Sequence, residues 1–157
     1  MRSLIYTCLA CLLLSQVSLS AKQKEAATDP AWDGLAFSIE DSRCFVGLAP
    51  VYLSVSKLKP KDGNLVGTYT INVPLMTSKN DKGKIVLPLK SKVSVLGAKG
   101  GVLKGKAHSE TEEGAINDIV CVIRPEKDQA IELAITTEHR TVNFKSRYTV
   151  IEAKQDG

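Results

Sequence analysis

From residue 35 onward the chain alternates apolar and polar positions in steps of two. Leu65, Gly67, Tyr69, Ile71 and Val73 fall on one side, and Thr68, Thr70 and Asn72 on the other. Ile85, Leu87 and Leu89 repeat the pattern, as do Val93 with Val95, and Ile131, Leu133 and Ile135. A later stretch sets Val142, Phe144, Ser146, Tyr148 and Val150 against Asn143, Lys145, Arg147 and Thr149. This period is the signature of half-buried strands. Ile119 to Ile123 is apolar on both sides, which predicts a strand covered on both faces, with Cys121 sharing a face with Ile119 and Ile123. No stretch has the period of an amphipathic helix of useful length.

Turn residues punctuate these strands. They are Lys61-Asp62-Gly63-Asn64, Asn80-Asp81-Lys82-Gly83, Gly97 to Gly101, Glu112-Glu113-Gly114, Pro125 to Asp128, and Thr137 to Arg140. Short connections make consecutive strands antiparallel neighbours. The expected fold is therefore all-β, a single antiparallel β-sandwich or small meander barrel, formed by residues 35–154. A sandwich here would lack the immunoglobulin hallmarks, because Trp32 precedes Cys44 and Ile119 stands two before Cys121.

Ile71-Asn72-Val73-Pro74-Leu75 and Ile85-Val86-Leu87-Pro88-Leu89 share one form. A turn near Asn80-Asp81 pairs them as a hairpin. Proline cannot donate to a ladder, so each strand should be bulged or at an edge at its proline. Protection of a sheet edge accounts for both prolines better than a pocket rim does.

The start of the chain changes the compartment. Arg2, the apolar run Leu4 to Val17 and the small residues Ser18 to Ala21 read as a secretory signal peptide over residues 1–20. The apolar run is too short and interrupted for a membrane span. Residues 21–34 read as a polar, flexible lead-in. The protein is expected to be exported, to the periplasm or the extracellular space. Of four cysteines, Cys44 and Cys121 remain after cleavage. In an oxidising compartment the simplest expectation is one Cys44–Cys121 disulfide. Closing so long a loop would stabilise by about 4 kcal/mol in the chain-entropy model.

Charge is segregated. The chain has a formal net charge of +4, but Lys57 to Lys106 holds 11 lysines, no arginine and only Asp62 and Asp81. Many lysines come in two-residue steps: Lys57, Lys59 and Lys61; Lys82 and Lys84; Lys90 and Lys92; Lys104 and Lys106. Such steps point the same way on a strand. These nine are the candidate anion-binding residues, for a lipid headgroup or an acidic glycan, or for another protein. A solvated outer face is the plainer explanation. The stretch has no arginine and no aromatic but the inward Tyr69, which argues against nucleic acid.

The catalytic inventory is thin. His108 and His139 are the two histidines. No nucleophile elbow and no phosphate-cradling loop is present. The Cys and His spacings match no zinc pattern, and Glu110, Glu112 and Glu113 match no calcium loop. No cofactor is expected. Three functional readings follow, in order. The first is an exported, non-enzymatic binding or interaction module using the lysine face. The second is a calycin-like barrel carrying a small apolar ligand, with Gly67, Gly105, Ala107 and Ser146 leaving space inside. The third is a hydrolase or metal enzyme using His108 or His139.

Overall fold

The computed structural model describes residues 33–153. The expected signal peptide, the expected lead-in up to Trp32 and the residues after Ala153 lie outside the described residues. Ten strands follow in order: β1 (Leu35–Ile39), β2 (Ser42–Val46), β3 (Ala49–Val55), β4 (Lys59–Lys61), β5 (Asn64–Asn72), β6 (Asp81–Pro88), β7 (Gly101–Ser109), β8 (Ile116–Arg124), β9 (Ala130–Thr136) and β10 (Thr141–Glu152). One helix, α1 (Val93–Lys99), lies between β6 and β7.

All ladders are antiparallel and belong to one sheet, in the order β1-β10-β9-β8-β7-β6-β5-β3-β2, with β4 also on β5. The structure is thus a single curled sheet, a barrel-like wall and not a two-sheet sandwich. Its two ends meet. Phe37 and Leu58 exchange backbone hydrogen bonds of 3.0 and 2.9 Å between β1 and the residue before β4. β2 packs beside β10.

The alternation places the core as expected. Leu65, Tyr69, Ile85, Leu87, Ile131, Leu133, Ile135, Phe144 and Tyr148 are all buried inside the wall. Phe37 meets Tyr148 edge-on with ring centroids 5.2 Å apart, an arrangement that suits the ring quadrupoles. On β8 the inward residues Ile119, Cys121 and Ile123 are buried, while Val120 and Val122 are half-buried on the outside.

Three local expectations are corrected. Val93 and Val95 do not form a strand, and Gly97 to Gly101 is not a hairpin turn: residues 93–99 are helical. Helix propensity at Val93, Val95 and Gly97 is poor. Tertiary contacts override it: Val93 and Leu96 are buried, Asp33 caps Ser94, and the Tyr148 hydroxyl donates to the Gly97 carbonyl at 2.8 Å. Gly100, at φ 72°, supplies the left-handed residue that ends the helix. The β5–β6 turn is earlier than expected. It spans Val73 to Asn80 and contains a 3-10 turn at Thr77–Lys79, and Asp81 already pairs with Ile71. The shift follows from Asn80, whose side-chain oxygen accepts the Val73 N–H at 2.7 Å and closes the loop.

The third correction is the disulfide. Cys44 and Cys121 are both free. Cys44 lies half-buried on β2 and Cys121 fully buried on β8, and β10 and β9 stand between those strands. The two strands share no ladder, and no disulfide joins the two thiols. Burial pushes the Cys121 thiol up to about 12 and raises that of Cys44 as well.

Candidate functional site

The lysine-rich stretch folds into adjacent strands. On β4 the buried residue is Pro60, which turns Lys59 and Lys61 outward. On β6 the buried residues are Gly83, Ile85 and Leu87, which turn Lys82 and Lys84 outward. On β7 Leu103 and Ala107 are buried, and Lys104 and Lys106 point out. The ladders set these side chains in rows. One row runs Lys59, Val66, Val86, Lys106 and Asp118 across β4 to β8. The next runs Thr68, Lys84, His108 and Ile116. Lys61 stands opposite Asn64, and Asn64 opposite Pro88. Lys57 is exposed in the connection before β4, and Lys90 and Lys92 are exposed in the connection from β6 to α1.

Lys106 donates to Asp118 at 2.6 Å, a surface pair with both side chains more than half exposed. Such a pair contributes little and is easily exchanged. Asp81, one of the two acids in the basic stretch, is turned to other partners. Its carboxylate accepts the Tyr69 hydroxyl at 2.7 Å and the Ser109 hydroxyl at 2.6 Å. The Ser109 oxygen in turn accepts the backbone N–H groups of Thr111 and Glu112. This network ties β5, β6 and β7 together below the acidic β7–β8 loop. Burial, then the Asp81 carboxylate, raises the Tyr69 hydroxyl well above its ordinary value. Sequence reasoning placed Tyr69 inward but missed its partners, because Asp81 reads as a turn residue.

His108 is exposed on β7 opposite Lys84, and His139 is exposed in the β9–β10 turn. β8 and β9 separate them. No cluster of three His, Cys, Asp or Glu side chains that could hold a metal forms among the described residues.

Two of the small inward positions, Gly67 and Gly105, are closed by their neighbours. A Cβ at Gly67 would lie 2.5 Å from Leu58 Cδ2, and one at Gly105 would lie 2.0 Å from the Val86 carbonyl oxygen. Hollows among the described residues include two on the surface. One is an open groove lined by Glu40, Asp41, Lys127, Asp128, Lys145 and Arg147, where both signs of charge mix. The other lies beside Pro88, Lys90 and Lys104. Comparison with known protein families, curated proteins and solved structures gives no match.

Proposed function

We propose that this chain is an exported, non-catalytic binding module whose lysine face takes a polyanionic partner surface. The observation that carries the reading is the register: outward lysines from β4, β6 and β7 fall on one side of the wall, in neighbouring rows. Such a face focuses a positive potential and favours association with anions at low salt. Lysine without arginine suits a diffuse, multi-charge contact more than a forked grip on one carboxylate.

Heparin resin tests the reading. The exported protein should be retained at low salt and released as salt rises. Replacing Lys84 and Lys104 together by glutamate should move release to markedly lower salt. Lys145→Glu, on the outward side of β10, should move it far less. Wild-type protein that passes unretained at low salt sinks the proposal, as does an equal shift from Lys145→Glu.

A further inference from the structure

Apolar side chains crowd one end of the wall. Of the eight large apolar residues that are exposed among the described residues, five lie on two neighbouring connections and the strands that carry them: Phe45, Leu48, Tyr52, Leu75 and Met76. Leu48 is 97% exposed and Leu75 77%. The register brings the two connections to the same end. β2 pairs with β3 up to Val46 with Ala49, so Gly47 and Leu48 form the turn. Tyr52 pairs with Asn72, the last residue of β5. The chain that leaves β5 therefore sets out beside the start of β3, toward the end where Leu48 stands.

The exposure is held in place. The Met76 N–H donates to the Val73 carbonyl at 2.9 Å, the Asn80 side chain accepts the Val73 N–H at 2.7 Å, and Val73 itself is buried. Leu75 thus stands outward between anchored residues. On β2 the Arg43 guanidinium lies 5.3 Å from the centroid of the Phe45 ring, which sets a cation over an apolar face. Arg43 stands opposite Tyr52, and Tyr52 opposite Asn72. The next outward row is Ser54, Thr70 and Lys82, so the patch borders the lysine face at Lys82. Lys79 is exposed in the β5–β6 loop. The acidic β7–β8 loop, with Glu110, Glu112 and Glu113, bounds the patch beyond β6.

We propose that the β2–β3 and β5–β6 connections dip into an anionic bilayer surface. Phe45, Leu48, Leu75 and Met76 pass below the headgroups, and Arg43, Lys79 and Lys82 meet the headgroup anions. An exposed apolar patch with a polar rim marks an interaction surface. These residues project from turns and line neither of the two hollows, which suits a fluid surface that closes around them. Cations beside an apolar insertion add attraction to acidic lipids. Tyr52, 40% exposed, carries both a ring and a hydroxyl and fits the headgroup level. The headgroup contact rests on the lysine-face reading, whereas the apolar insertion does not.

The probe is a vesicle of phosphatidylcholine and phosphatidylserine, with binding of the exported protein followed by co-sedimentation. Vesicles of phosphatidylcholine alone should bind much less. Leu48→Ser together with Leu75→Ser should weaken binding to the mixed vesicles by about tenfold or more, from the loss of two inserted side chains. Heparin retention should be unchanged in that variant, because no charge is altered. Equal vesicle binding by the variant and the wild type overturns the insertion. Heparin retention without vesicle binding by the wild type also overturns it and leaves the lysine face standing. Vesicle binding without heparin retention upholds the insertion and overturns the polyanion reading of the lysine face. A wild type that light scattering shows to be a dimer, with the double variant a monomer, assigns the patch to a second copy and overturns the bilayer. Absence of wild-type binding to either vesicle decides the matter even if the variant does not fold.

Discussion

The carboxylate of Asp33 caps a helix that begins 60 residues later: its Oδ2 accepts the backbone N–H of Ser94 at 2.8 Å. Its other oxygen accepts the N–H of Leu35 at 3.3 Å, at the start of β1. One side chain thus joins the first strand to the helix between β6 and β7. α1 has no capping side chain of its own, since Lys92 stands at its N-cap. Replacing Asp33 by alanine should cost about 0.5–2 kcal/mol, the usual range for a lost cap. Urea denaturation measures this, and Asp33→Asn should recover part of the loss. An unchanged midpoint would show that α1 holds without the cap.

Gly97 gives a case where local propensity and packing disagree in sign. Glycine inside a helix costs about 1 kcal/mol relative to alanine. A Cβ at Gly97, however, would lie 2.6 Å from Val150 Cγ2 on β10. Overpacking of this kind costs about 1–3 kcal/mol. Gly97→Ala should therefore lower the melting temperature, against the propensity scale. A rise would mean that β10 gives way freely.

Tyr69 and Asp81 link stability to alkaline pH. The Tyr69 hydroxyl is raised by burial and by its bond to Asp81. The folded state holds this proton more tightly than the unfolded chain, where tyrosine loses it near pH ~10. The contribution is thus fully present below about pH 10 and is lost as pH rises beyond it toward the folded value. Tyr69→Phe should lose about 1–3 kcal/mol at neutral pH, as for a bond to a charged acceptor. Its stability should also fall less than the wild type's between about pH 9 and about pH 11. Parallel pH curves for the two proteins would contradict the assignment.

The two thiols should differ in reactivity. Thiolate is the attacking form, and burial holds the Cys121 thiol up at about 12. Cys44 is raised too but is half-buried on β2. A thiol reagent at neutral pH should label Cys44 slowly in the native protein and Cys121 only after unfolding. Protein from an oxidising compartment should keep both thiols, with no mass loss of two hydrogens. Detection of that mass loss would restore the disulfide.

Much of the wall was legible in the residues because the strand period is local. The inward Phe144 and Tyr148 and the outward Lys145 and Arg147 follow from alternation alone. So do the outward directions of Lys82, Lys84, Lys104 and Lys106. α1 was not legible, because Val93, Val95 and Gly97 favour other conformations and the helix forms through Asp33, Tyr148 and the core.

By itself, the amino-acid sequence determined the antiparallel strand content, the side of each strand that enters the core and the segregation of lysine into one stretch. These depend on periods of two residues and on turn chemistry, both set by near neighbours in the chain. Tertiary structure alone decided that the sheet curls until its ends meet, that the cysteines stand apart, and that the lysines gather on one outer face. Each of those depends on which strands lie side by side, and strand order is a property of contacts between residues far apart in the sequence.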